Sequence, residues 1–203
     1  MDLIYSIPNI ISFIRVAIAP FFYLLMIKNN PGSTRIACGL FVAGAITDYL
    51  DGWLARNVYG VTSVGKFVDP LADKIFTSAA FLAFVQLGIV EMWMVIIIIV
   101  RDFGTTFLRL FAVNNKHTIR TSRSAQWKTF LQMVFIIYIL ILLLLKDIRY
   151  IKIPPDRVSG LIYSDVSYFM MLFLTLITLW TAVEYVINNR SLFALKKNLS
   201  EEK

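Results

Sequence analysis

The chain has 203 residues, 58% of them hydrophobic and only 16% charged, with a formal net charge of +7. That balance excludes an ordinary soluble domain and points to a polytopic membrane protein. Its scattered basic loops suit anionic headgroups and anionic substrates better than nucleic acid, and a lone cysteine, Cys38, excludes an intramolecular disulfide.

A helix that crosses the hydrocarbon core needs roughly 20 mainly apolar residues. Six segments meet this, over about 7–28, 36–56, 66–88, 92–113, 129–146 and 161–188. The expected fold is therefore an all-α integral membrane protein of six transmembrane helices, with one domain over residues 1–190 and a charged tail over 191–203. The first span opens near Ile7-Pro8-Asn9. Ala17-Ile18-Ala19 has the small-x-small form of a signal-peptide end, but no Lys or Arg precedes the apolar run and Arg15 interrupts it, so the span is expected to be retained. Arg15 is costly in lipid and should face other helices or reach the interface. Pro20 should kink this helix, and Lys28 to Ser33 reads as a turn.

The second span holds Cys38, expected to pack as a small apolar side chain, and residues 57–64 form a short connection to the third. Pro70 is expected about one turn into the third helix, where its missing N–H matters little. A tight turn near Gly88 and Glu91 leads to the fourth span, and Asn114 to Lys128 is a polar, basic loop with a solvated His117. The fifth span is almost purely aliphatic, Lys146 to Gly160 is polar, and the last span ends near Asn188-Asn189-Arg190. Trp53, Trp93, Trp127 and Trp180 fall near span ends, as interfacial anchors would. An even number of spans puts both termini on one side. The Lys and Arg distribution favours the cytoplasm for them, and hence for the 57–64 and 114–128 connections.

Across the second and third spans runs the pattern D-x2-D-G-x2-A-R-x8-G-x3-D-x3-D, with Asp48, Asp51, Gly52, Ala55, Arg56, Gly65, Asp69 and Asp73 in its fixed places. Residues three or four apart share a helix face, so the carboxylates form two stripes at helix ends. Four ionised carboxylates in such apolar sequence repel one another and lose hydration, so they call for a cation. Hard divalent ions held by oxygen ligands are the simplest one. Pairing with Lys66, Lys74 or Arg56 could account for one such pair of aspartates, but hardly for two on adjacent helices. Gly52 and Gly65 would let a flat or bulky group approach the backbone, or simply let helices pack closely. Arg56 suits a diphosphate, and Thr62 adds a hydroxyl.

This pattern resembles the signature of the CDP-alcohol phosphotransferase family. The resemblance implies six transmembrane helices, usually as a homodimer, around a polar, metal-containing cavity that opens near the cytoplasmic face. It implies that Asp48, Asp51, Asp69 and Asp73 bind one or two Mg²⁺ or Mn²⁺ ions per protomer, that Asp73 is the general base, and that Gly52, Arg56, Thr62 and Gly65 hold the CDP part of a CDP-diacylglycerol donor. A bacterial inner membrane is the expected location, with active site and termini in the cytoplasm.

For the acceptor, Arg101 and Arg109 stand two helical turns apart on one face with Thr105 between them, and Lys128 opens the fifth span. Together they can form a second anion site, suited to an acceptor that carries its own phosphate. Arg120 and Arg123 serve equally well as contacts to lipid, and Arg101 could instead pair with Asp102 or with an aspartate of the motif. The runs IPNIISFIRVAIAPFF, VRDFGTTFLRLFA, WKTFLQM and TLWTAVEYV are similar to the phosphatidylglycerophosphate synthase branch of the family, whose acceptor is sn-glycerol 3-phosphate. Phosphatidylglycerol, serine or an inositol phosphate are other acceptors of the same reaction class. A small cation transporter is a reading from another class, but it would want an internal repeat and midplane carboxylates.

Overall fold

The computed structural model describes residues 7–54, 63–114, 123–147 and 154–189. Among them there are seven helices and no strand: α1 (Ile7–Ile27), α2 (Pro31–Leu54), α3 (Ser63–Gln86), α4 (Met92–Asn114), α5 (Arg123–Asp147), α6 (Pro155–Ile162) and α7 (Asp165–Asn188). Of the expected connections over 57–64 and 114–128, residues 57–62 and 115–122, with His117 and Arg120, lie outside the described residues, as does the tail.

The first expected turn is shorter than its composition suggests. Asn29 takes a left-handed φ of 48°, which a short polar side chain tolerates. Asn30 then caps α2, its Oδ1 accepting the Ser33 N–H at 2.8 Å, and Pro31 fills the first helical position, where no N–H is needed. So α2 starts at Pro31, ahead of the expected 36. Between α3 and α4 Gly88 has φ 69°. The Gly88 and Ile89 N–H groups donate to the Val85 and Phe84 carbonyls, each at 2.9 Å, a Schellman ending that requires a residue without a Cβ cost at that φ.

Three other boundaries differ from expectation. Helix α3 begins at Ser63, so Pro70 sits two turns in and removes a backbone donor from the helix interior. Helix α5 begins at Arg123 rather than 129 and so takes in Lys128. The expected span over 161–188 is divided: α6 occupies part of the polar stretch, with Pro155 at its start and Val158 and Ile162 buried, and α7 starts only at Asp165 after the Ser164 cap.

Helix α1 packs along α2 and α3, α4 lies against α3 and α7, and α5 meets α2, α6 and α7. Phe41 of α2 stacks on Phe76 of α3 at 5.2 Å between ring centres, and Phe22 of α1 lies 5.8 Å from each. Cys38 is buried, with its Sγ 3.9 Å from the Leu140 carbonyl of α5. The outward faces carry Phe21, Val100, Phe169, Trp180 and many other exposed apolar side chains. This is the surface of a membrane protein, and all four tryptophans lie on it. Ile10–Ile27, Ser124–Lys146 and Pro155–Asn188 are long and apolar enough to cross a membrane by length and composition. Helices α2, α3 and α4 are as long but carry the charges of the motif and of the Arg101 region.

Candidate active site

Three helices build an acidic centre. Helix α1 presents Ser12 and Arg15 three residues apart, both buried; α2 presents Asp48; α3 presents Asp69 and Asp73 one turn apart. The Ser12 hydroxyl donates to Asp69 Oδ1 at 2.6 Å. Arg15 Nη1 pairs with Asp48 Oδ1. Lys74 Nζ meets Asp73 Oδ2 at 3.0 Å. Asp48 lies close enough to Asp69 and Asp73 for their charges to act on its carboxyl. Its side chain is 49% exposed against 2% for Arg15, so the centre opens outward at Asp48 and is closed from below by α1. Arg15 faces other helices, as expected. Ser12 was not legible as a site residue: a serine in an apolar run carries no spacing signal.

Among the described residues no three His, Cys, Asp or Glu side chains close around one point. The backbone of Asp51 and Gly52 lies in α2, but the Asp51 side chain is outside the description, and so are Arg56 and Thr62 entirely. Gly65 is buried in the first turn of α3.

A second charged cluster spans α4 and α5. Asp102, 4% exposed, uses both carboxylate oxygens. Oδ1 accepts from Lys128 Nζ and, at 3.2 Å, from Arg101 Nη1; Oδ2 accepts from Gln132 Nε2 at 3.2 Å. Lys128 is completely buried. The structure thus brings Arg101 and Lys128 together through a carboxylate, and the Arg101–Asp102 pairing weighed from the sequence is present. Arg109, two turns further along α4, is exposed, and its charge and that of Arg101 act on Tyr185 of α7. Thr105 turns back to the Arg101 carbonyl at 3.0 Å. Lys74 connects the two clusters: it holds Asp73 directly, and its charge acts on both Asp102 and Lys128.

An acidic centre and a cationic one, side by side among apolar helices, define a membrane enzyme that handles anions. The chain matches the CDP-alcohol phosphatidyltransferase family over residues 5–187 and belongs to it. A protein of Bacillus subtilis named CDP-diacylglycerol–glycerol-3-phosphate 3-phosphatidyltransferase is 30% identical over 197 residues, covering 91% of this chain and 95% of its own. One of the same name from Rickettsia typhi is 34% identical over 177 residues, 85% and 92% of the two chains. A probable phosphatidylglycerophosphate synthase of Mycobacterium tuberculosis is 35% identical over 134 residues, 64% of each.

Proposed function

We propose that the chain transfers the phosphatidyl group of CDP-diacylglycerol to sn-glycerol 3-phosphate, giving phosphatidylglycerol phosphate and CMP. The observation that carries this reading is the Lys74 link, which sets a cationic cluster directly beside the acidic centre. The names of the Bacillus and Rickettsia relatives support the same acceptor.

The aspartates fit a divalent cation by their chemistry: the donors are all oxygen, and the charges of Asp69 and Asp73 act on Asp48, although the three carboxylates do not close around one point. Asp48, Asp51, Asp69 and Asp73 would hold one or two Mg²⁺ or Mn²⁺ ions, which when bound offset the negative charge of the diphosphate. Arg15 and Ser12 fix the rotamers of Asp48 and Asp69 from below. Gly52 and Gly65 leave room for the CDP part, with Arg56 and Thr62 as its polar contacts. Lys74 occupies Oδ2 of Asp73, so we assign Oδ1 to take the proton from the acceptor hydroxyl. The acceptor's hydroxyl oxygen then bonds to the phosphorus of the phosphatidyl group, the bond from this phosphorus to the oxygen that bridges it to CMP breaks, and CMP departs. Arg101, Arg109 and Lys128 receive the acceptor's own phosphate.

In the full reading, α1 to α5 and α7 cross the membrane as a single domain over residues 1–190 with a tail over 191–203. Two protomers associate in a bacterial inner membrane, with the active site and the termini in the cytoplasm. The test is CMP release by purified protein with Mg²⁺ or Mn²⁺ and CDP-diacylglycerol, in separate reactions with glycerol 3-phosphate, phosphatidylglycerol, serine and inositol 1-phosphate. Release that needs both metal and glycerol 3-phosphate is the expected result. Release with one of the other acceptors alone would overturn the acceptor assignment, and release with none would overturn the reaction.

A further inference from the structure

A carboxylate is the wrong charge to place against a phosphate, yet Asp102 sits in the middle of the cationic cluster. Its geometry gives it a use. Neighbouring residues on a helix point about 100° apart, so Arg101 and Asp102 do not face each other by default. Here Arg101 turns back to Oδ1, the same oxygen that Lys128 reaches from α5, while Gln132 takes Oδ2 from one turn further along α5. The carboxylate therefore ties the two cations to each other and fixes α4 against α5 at this level.

The cluster is also unfinished. Two buried or nearly buried cations meet one anion, so a positive charge is left over, and Lys74 adds to the field from α3. The Nε of Arg101 is buried with no hydrogen-bond partner among the described residues. Buried donors and charges are ordinarily satisfied. A structural ion pair would end neutral and saturated, whereas an excess cation with a spare donor fits a dianionic phosphate.

We infer that Asp102 is the positioning residue of the acceptor site, holding Lys128 and Arg101 in register so that their remaining donors meet the phosphate of the acceptor. The inference rests on the reaction proposed above. It assigns no contact between Asp102 and substrate.

The test is steady-state CMP release by the wild-type protein, D102N, D102E and Q132M, varying each substrate in turn. D102N keeps the shape and removes the charge. Its KM for glycerol 3-phosphate should rise about tenfold or more, the scale of one misdirected charge-assisted hydrogen bond. Its KM for CDP-diacylglycerol should stay near wild type, while its melting temperature in detergent should fall, because the buried Lys128 loses its counter-charge. D102E should recover part of the loss, and Q132M, which frees only Oδ2, should show a smaller rise of the same kind. An unchanged KM for glycerol 3-phosphate in D102N, or equal effects on both substrates, would overturn the inference; should D102N fail to fold, an unchanged KM in Q132M would do so. A wild-type protein that shows no turnover with glycerol 3-phosphate would instead remove the proposed reaction, and the inference with it.

Discussion

A guanidinium buried in an apolar helix is costly unless a charge meets it, and the ion pair of Arg15 with Asp48 does so while aiming that carboxylate at its neighbours. Asp73 is held differently, by Lys74 on one oxygen at the edge nearest the cationic cluster. That position suits a base whose substrate arrives from the Asp102 side. D73N keeps size and hydrogen-bonding reach but cannot take a proton, so it should lower CMP release about a hundredfold or more, the usual contribution of a positioned base. Binding of a non-hydrolysable CDP-diacylglycerol analogue, followed by calorimetry, should weaken far less. Equal loss of binding and turnover would make Asp73 a donor ligand only. The aspartates were legible because their spacing repeats on two adjacent spans. Asp102 was legible only as a local partner of Arg101, since no periodicity announces that α5 brings Lys128 and Gln132 to the same carboxylate.

At the scale of the helices, the acidic centre depends on how closely α2 approaches α3. Gly44 lies one turn before Asp48, and a Cβ added there would come within 2.8 Å of the Phe76 ring. That ring is itself one turn beyond Asp73 and is clamped by Phe41 and Phe22. In a membrane, such packing supplies much of the association between helices. G44V should therefore destabilise the bundle by about 1–3 kcal/mol, an ordinary overpacking cost, and lower activity by moving α2 and its Asp48 relative to α3. A thermal melt in detergent checks this; an unchanged melting temperature would mean that the ring yields freely. The lengths of α1 to α4 were legible from hydropathy to within a turn, because each span must exceed a membrane-scale length. The starts of α2 and α5 were missed because capping and polar first turns extend a helix beyond its apolar stretch. Helix α6 was missed because Pro154-Pro155 and mixed charge read as a loop; what makes it a helix is Pro155 at the first position and the burial of Val158 and Ile162, one turn apart.

For the whole molecule, α6 decides how many times the chain crosses. At eight residues it is about 12 Å long, far short of a bilayer core of roughly 30 Å. It also lies against α5 rather than along the outer surface alone. If α1 to α5 and α7 each cross once, α6 lies at the face opposite both termini, although its apolar neighbours would let a composition-based reading fuse it with α7 into a single stretch. The native cysteine makes this easy to examine, since Cys38 is only 4% exposed and should resist labelling. D156C places a thiol on the exposed side of α6, and E201C places one in the tail. With a membrane-impermeant maleimide on intact spheroplasts, D156C should label and E201C should not; inverted vesicles should reverse the pattern. Labelling of both from the same face would mean that α7, which lies between the two positions, does not cross the membrane once. The inverse pattern, with E201C and not D156C labelled on intact spheroplasts, would place the α2–α3 connection and its acidic centre on the outer face, away from the nucleotide supply.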